Sequence, residues 1–287
     1  MTIDKLATTV SSLKADLHIH TTFSDGTLTP DTILKYANEC KLGALSITDH
    51  DNVGALKYAE SRSSEYEIEF IPGIEISCRM EDIEIHMLGY FIDPEDKRLL
   101  NYLEFFQNER ILRARKILDC LKEHDMMIQW EELKEISGGG SIGRPHIAEL
   151  MVRKNYVMDY KDAFDNYLGD NCSCYIPKYK ISPCEAIKLI AAAGGISFIA
   201  HPGVDVNEDE LVSLIGLGVD GIETIHPKHS AEEVEKLRKI VREYHLQESG
   251  GSDFHGNKKL GPRIGDFTIP YDMVSRLKDY YNRVNLP

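Results

Sequence analysis

The order of elements predicts an α/β protein, a parallel sheet or barrel of βα units with a helical insertion. Three observations predict it. Short apolar runs alternate with amphipathic stretches over residues 14–98, and again from residue 182 onward. Residues 99–181 between them are helical in period and hold no convincing strand. Nearly every predicted strand delivers a histidine or a carboxylate at or near its end.

The elements follow in order. Lys14 to His20 alternates polar and apolar residues and reads as a strand. Thr29 and Pro30 form a helix start, with Thr29 as N-cap, and the helix runs to about Leu42 before Gly43. Ala44 to Thr48 is a buried strand, followed by a helix over Gly54 to Glu65 and strands over Glu69 to Ser77 and Ile83 to Tyr90. Asp96 to His124 is one long charged helix, and shorter helical pieces continue to about residue 168, broken by Gly138-Gly139-Gly140. The alternation then resumes. Helices over Pro183 to Ala193, Glu208 to Leu217 and Ala231 to Tyr244 precede strands over Ile196 to Ala200, Gly221 to Thr224 and Gln247 to Gly250. The chain is therefore expected to hold a barrel in two parts, residues 1–98 and 182–287, with residues 99–181 as an inserted cap.

Composition narrows the function. The 287 residues include 33 basic and 47 acidic ones, a formal charge of −14. Such a surface has no broad attraction for long nucleic acid, so a phosphate-bearing substrate needs local cations to hold it. The first 20 residues lack the long apolar run of a signal peptide or membrane span, which predicts a cytoplasmic protein. Six cysteines, at 40, 78, 120, 172, 174 and 184, form no CxxC pair and are expected as reduced thiols. Cys172 and Cys174 make a CxC without a second pair to complete a zinc site.

The chemistry gathers at the strand ends. His18 and His20 close the first strand, and alternate residues of a strand point the same way. Asp49 and His50 end the second strand, Glu75 lies late in the third, and His86 lies in the fourth. His201, His226, and the pair Asp253 and His255 follow later strands, while Asp25 sits on the first loop. Each alone is a weak signal, since a lone HxH or a buried histidine usually binds nothing. Together they place metal-type donors on one face of a β/α barrel, where active sites sit.

The segment DLHIHTTFSDGTLTPDTIL, from Asp16 to Leu34, resembles the opening motif of the PHP (polymerase and histidinol phosphatase) family. ITDHD at 47–51, PGIEIS at 72–77, HMLGY at 86–90, AHPG at 200–203 and GSDFHG at 251–256 extend the resemblance. Within residues 99–181 it continues through ERILRARKIL at 109–118 and GRPHIAELMV at 143–152, and YLGDNCSCYIPKYKISPCEAI at 167–187 carries it on. The order and spacing resemble the TrpH-like phosphoesterase branch, which includes 3′,5′-nucleoside bisphosphate phosphatases, AMP phosphatases and RNA 5′-exonucleases. The resemblance implies a distorted (β/α)7 barrel, TIM-like, with the insertion capping its C-terminal face. It implies up to three divalent ions. The first takes His18, His20, Glu75 and Asp253; the second takes Glu75, His86 and His201; the third takes Asp25, His50 and His255. Asp16 and Asp49 either orient ligand histidines from behind or cap strand ends.

Six imidazoles with three carboxylates suit manganese, iron or zinc better than calcium or magnesium. Two or three ions, manganese first, are expected to deprotonate a water that attacks phosphorus, with no covalent protein intermediate. Arginines are expected to hold the substrate. Arg110 and Arg113 lie three apart on one helix face, and are either phosphate contacts or a solvated face. Arg144 and His146 open a helix, where they contact phosphate or leaving group, or merely cap it. His229 is a candidate proton donor or phosphate contact, and His226 is read as structural. His124 and His245 lie near helix C-termini. The expected reaction is hydrolysis of a nucleotide phosphate monoester, favouring the 3′-phosphate of nucleoside 3′,5′-bisphosphates, with AMP or short RNA 5′ ends as further substrates. The alternatives are a histidinol phosphate phosphatase and a non-catalytic metal-binding scaffold. No membrane partner is expected, and the oligomeric state is open.

Overall fold

A computed structural model of the chain describes residues 13–81, 83–137, 142–256 and 261–285. The expected break at Gly138-Gly139-Gly140 lies outside the described residues. The chain divides into two compact units, Met1–Leu100 with Lys180–Pro287, and Asn101–Tyr179.

The first unit is built on one eight-stranded sheet of order β7-β6-β5-β4-β3-β2-β1-β8. Its strands are β1 (Lys14–Asp16), β2 (Leu42–Ile47), β3 (Glu69–Met80), β4 (Ile83–Tyr90), β5 (Ile196–Ile199), β6 (Gly221–Ile225), β7 (Gln247–Gly250) and β8 (Ile269–Pro270). The sheet curls until it is nearly closed. Beyond β1, the Leu17 N–H donates to the Gly250 carbonyl at 3.2 Å, and Ile19 forms a parallel bridge with Phe254. The protein is thus an α/β barrel, as the alternation predicts.

Helices cross between the parallel strands, and their starts are written in the sequence. Thr29 caps α1 (Pro30–Glu39), accepting a hydrogen bond from the Thr32 N–H at 3.3 Å. After α2 (Leu56–Ser63), three later helices open on reciprocal capping boxes that satisfy orphan backbone donors. They are α6 (Pro183–Ala192) on Ser182 and Glu185, α7 (Glu208–Ile215) on Asn207 and Glu210, and α8 (Ala231–Glu243) on Ser230 and Glu233.

Two expectations need correction. Helix α1 stops before Leu42 because Lys41, at φ 57°, already turns left-handed. Gly43 lies inside β2, where a Cβ would come within 3.0 Å of Leu13 and Tyr271. Nor is the sheet purely parallel. Only positions 81 and 82 separate β3 from β4, too few for a crossover, so the two pair antiparallel from Gly73↔Tyr90 to Met80↔Ile83. Strand β4 also pairs antiparallel with β5.

The barrel core packs Ala15, Leu17, Ile71, Tyr90, Phe198 and Ile269 together. The last elements, β8 and α9 (Tyr271–Asn285), lie beyond those assigned from the sequence, although the apolar residues of 271–284 recur at helical spacing. Met273, Val274 and Leu277 of α9 join this core.

The long helix α3 (Lys97–Glu123) leads into α4 (Trp130–Ile136) and α5 (Arg144–Arg153). Asn101–Tyr179 has its own core, in which Ile117, Leu121, Leu133, Ile147, Met151 and Leu168 pack together. Among the described residues, no helix is long and apolar enough to cross a membrane.

Candidate metal centre

The strand ends carry their donors to one place. His18 and His20 are fully buried beyond β1, and their Nε2 atoms lie 3.1 Å apart. Glu75 Oε2, from the middle of β3, lies 3.3 Å from His18 Nε2 and 3.2 Å from His20 Nε2. Asp253 Oδ1, beyond β7, lies 3.4 and 3.2 Å from the same two nitrogens. These four residues form one compact donor cluster.

Glu75 also faces a second group. Its Oε1 lies 2.9 Å from His86 Nδ1 and 3.3 Å from His201 Nε2, while Oε2 lies 3.0 Å from His50 Nδ1. His50, Glu75 and His86 form the second cluster. The third joins Asp25, His50, His255 and, again, His20. Asp25 Oδ1 is 3.2 Å from His255 Nε2, and the His255 ring stacks on His20 at 4.1 Å. All nine expected ligands therefore lie in one contiguous group. The geometry adds His20 to the third cluster and puts His50, rather than the expected His201, with Glu75 and His86 in the second. His201 falls in none of the three clusters and meets the group at Glu75 Oε1, 3.3 Å away.

The backbone there is strained. His201 at φ 30° and Asp253 at φ 49° both occupy the left-handed region that non-glycine residues avoid. Such residues persist only where the surroundings over-determine them, and they cluster at functional sites. Gly251 shows how tight the approach is. A Cβ there would sit 2.4 Å from the His18 backbone nitrogen and 2.5 Å from His18 Cβ. Gly251→Ala is expected to destabilise the fold by about 1–3 kcal/mol, read as a lowered melting temperature.

Burial opposes charge on Glu75, yet the surrounding His50, His86 and His18 hold its carboxyl well below the usual range. Asp253 is likewise buried and held down by His18, His20 and His226. In return, His20 and His86 rise despite their burial. Hydrogen bonds that His20 donates to Asp253 and Glu75 push it to about 10, and Glu75 pushes His86 to about 9. Burial keeps His50 well below its ordinary value, with His20 and His86 repelling its charge.

These donors fit metal ions. The buried nitrogens His20 Nδ1, His50 Nδ1, His86 Nδ1 and His226 Nε2 face carboxylate oxygens at 3.9, 3.0, 2.9 and 3.3 Å in geometries that make no hydrogen bond. Orphaned buried nitrogens converging on carboxylates are what a cation requires. Protons on His20 and His86 occupy the cation's place and must leave when a metal binds. Metal loading at neutral pH is therefore expected to release protons, and apparent affinity should rise with pH until it levels near the two raised values, about 9 and about 10. Calorimetry in two buffers of different ionisation enthalpy measures the release. An affinity that stayed flat between about pH 6 and pH 8 would contradict it.

Asp16 and Asp49 take the second of their two expected roles. Asp16 accepts backbone N–H groups of Ser252 at 2.9 Å and Gly265 at 3.0 Å, and burial pushes its carboxyl up to about 6. Asp49 accepts from Thr21 N, Thr21 Oγ1 and Ser24 Oγ at 2.7, 2.7 and 2.5 Å. Both pin the backbone beside the ligands. The residue that orients an imidazole is Glu223, which sequence reasoning missed. Fully buried on β6, it accepts His18 Nδ1–H at 2.9 Å with one oxygen and the His201 N–H at 2.8 Å with the other. The available signal was an acid within the apolar strand GIETI.

His229 is held by the fold at both ring nitrogens. Its Nδ1 lies 2.9 Å from the Thr224 carbonyl and donates to it, while Nε2 accepts the Gly203 N–H at 3.2 Å. Both nitrogens are engaged within the fold, and a role as proton donor or phosphate contact stays a proposal for His229. His226 places Nε2 3.3 Å from Asp253 Oδ2, and its Nδ1 accepts the Lys228 N–H at 3.2 Å.

The other expected substrate contacts lie within Asn101–Tyr179 and come together there. Burial and the neighbouring Arg144 and Arg110 push the Arg113 guanidinium down to about 10. Arg113 Nε donates to the Ile176 carbonyl at 2.6 Å. Arg144 lies 5.7 Å from the Phe164 ring and 5.6 Å from the Tyr175 ring, donating to the Leu168 carbonyl and Asp170 at 2.9 and 3.1 Å. His146 Nδ1 caps the start of α5 by accepting the Gly143 N–H at 3.1 Å, and burial, with Arg110 adding to it against Glu149, lowers the imidazole below its ordinary value.

Comparisons with known proteins agree with this centre. A family model for the PHP domain matches residues 16–169. The chain is 34% identical to the 5′-3′ exoribonuclease Rnm of Salmonella typhimurium, over 84% of each chain. It is 31% identical to a 3′,5′-nucleoside bisphosphate phosphatase of Chromobacterium violaceum, over 87% of this chain and 90% of that one. A solved structure from Bifidobacterium adolescentis, assigned as a metal-dependent phosphoesterase, superposes with a TM-score of 0.80 at 29% identity, covering 93% of this chain and 96% of that one. The donor clusters, the barrel and these likenesses agree: the chain belongs to the PHP domain family of metal-dependent phosphoesterases.

Proposed function

We propose that the chain hydrolyses nucleotide phosphate monoesters, with the 3′-phosphate of nucleoside 3′,5′-bisphosphates as its favoured target. The observation that carries this reading is the sharing of Glu75 between two adjoining donor clusters, with His20 and His50 linking both to a third. Two or three divalent ions held there, manganese first and iron, zinc or magnesium as alternatives, would supply an activated water and a clamp on phosphoryl oxygens. In the proposed set His18, His20, Glu75 and Asp253 hold one ion, Glu75, His86 and His201 a second, and Asp25, His50 and His255 a third.

The protein's own residues do the rest. Glu75 sets the spacing of the donors, and Glu223 fixes the His18 ring so that Nε2 faces the cluster. Arg110, Arg113 and Arg144 form a cationic group, in which burial first, and then repulsion from Arg144 and Arg110, lowers the Arg113 guanidinium. We assign them a substrate phosphate, whose negative charge relieves that repulsion. A net charge of −14 also favours a small substrate over a long polyanion.

A second reading is 5′-3′ exonucleolysis of short RNA. It rests on the relatives of that name, which reach 34% identity against 31% for the bisphosphate phosphatase.

The test is manganese-loaded protein against adenosine 3′,5′-bisphosphate, AMP, histidinol phosphate and a short 5′-phosphorylated RNA, with His18→Ala as control. The expected result is the highest kcat/KM on the bisphosphate, abolished by His18→Ala. Arg144→Ala is expected to raise KM about ten-fold and to change kcat less. A preference for RNA selects the second reading. Turnover of histidinol phosphate alone, or of nothing, sinks both.

A further inference from the structure

We propose that Cys120, His124 and Cys174 form a second metal-binding site, a thiolate and imidazole site for a borderline-soft divalent ion of the zinc type, open when the two thiols are reduced. It lies entirely within Asn101–Tyr179 and does not depend on the phosphoesterase reading.

Cys120 sits in the last turn of α3, and His124 follows four residues on, in the turn just beyond Glu123, where its N–H donates to the Leu121 carbonyl at 3.0 Å. Cys174 arrives from the segment after Leu168. Its N–H donates to the Tyr167 carbonyl at 3.0 Å, and its side chain is fully buried. The His124 ring meets the Tyr167 ring edge-on at 5.6 Å, so Tyr167 anchors both ligands from one place. The two sulfurs and a His124 nitrogen all lie within 4.8 Å of one another.

The expected reduced thiols do not hold for this pair. Cys120 and Cys174, 54 positions apart, are joined in a disulfide with Cα atoms 5.5 Å apart. A disulfide accounts for two sulfurs meeting but not for the imidazole beside them. Two thiolates and a neutral imidazole match the charge and softness of zinc, with a fourth position left for water. The barrel clusters contain only histidines and carboxylates, so the two kinds of site differ in chemistry.

The two states exclude each other. Opening the disulfide takes two electrons and two protons from a dithiol, which is itself oxidised to a disulfide, and leaves two thiols. The ion then displaces the two thiol protons to solvent, with no further electron transfer.

The experiment uses the full chain, reduced with excess dithiol and desalted without oxygen, then titrated with Co²⁺. A sulfur-to-cobalt charge-transfer band reports only thiolate ligation, because the barrel donors carry no sulfur. The expected result is a band whose intensity at saturation corresponds to one thiolate-bound ion per chain, whatever the barrel donors also take up, abolished by added Zn²⁺ and absent from the oxidised protein. Cys120→Ser with Cys174→Ser should remove it. His124 is exposed, so His124→Ala should fold normally and weaken Co²⁺ binding at least about ten-fold. No band in the reduced protein overturns the proposal. So does a band that survives the double cysteine variant, or one that His124→Ala leaves unchanged.

Discussion

Glu75→Gln is expected to lower kcat/KM by at least about a thousand-fold and to leave the protein short of metal by elemental analysis. Glu75 is the one carboxylate that belongs to two donor clusters, and its two oxygens reach five imidazoles between them. A carboxamide keeps the shape but is a poor ligand and carries no charge. The variant should also be less stable without metal, in a defined pH window. Glu75 is lowered from 4.5, so its contribution is present above that value and lost as pH falls through its depressed native value. His20 and His86 are raised from 6.5, so theirs is fully present below 6.5 and lost as pH rises through about 10 and about 9. The drop in melting temperature should therefore be greatest from 4.5 to 6.5 and fade toward pH 9 to 10. A variant with full metal content and normal turnover would show that Glu75 does not organise the site.

Glu223→Gln is expected to cost on the order of 10–100-fold in metal affinity, although Glu223 belongs to none of the donor clusters. Its carboxylate holds His18 in the tautomer that carries the proton on Nδ1, leaving Nε2 as a donor to metal. The same side chain steadies the strained backbone at His201. Glutamine can accept one of these hydrogen bonds but offers no negative charge opposite His18. The loss should appear in metal titration and in kcat, with KM nearly unchanged, because Glu223 acts through its neighbours. If KM rose while metal affinity stayed the same, the positioning role would be wrong.

Much of the centre was legible because metal ligands are chemically conspicuous. Histidine pairs and acids at the ends of apolar runs need only a barrel to bring them together, and the alternation of strands and helices implies one. Glu223 escaped because a partner of an imidazole carries no motif of its own; only the β5–β6 register places it under His18 and His201. The surroundings of His229 were hidden for the same reason, since a carbonyl and an amide reach its two nitrogens only through the fold.

By itself the sequence determined the order of the strands and most helices, the helix starts that carry capping residues, and the nine metal-type donors. These rest on local chemistry: side-chain period, caps, and residue types with few other uses at strand ends. Tertiary structure decided the antiparallel insertion of β4, the near-closure of the sheet where Leu17 meets Gly250, which donors share Glu75, and the meeting of Cys120 with Cys174. Each of these joins residues far apart in the chain. Such pairings are chosen by packing and by the need to neutralise buried charge, and neither can be read from neighbours in sequence.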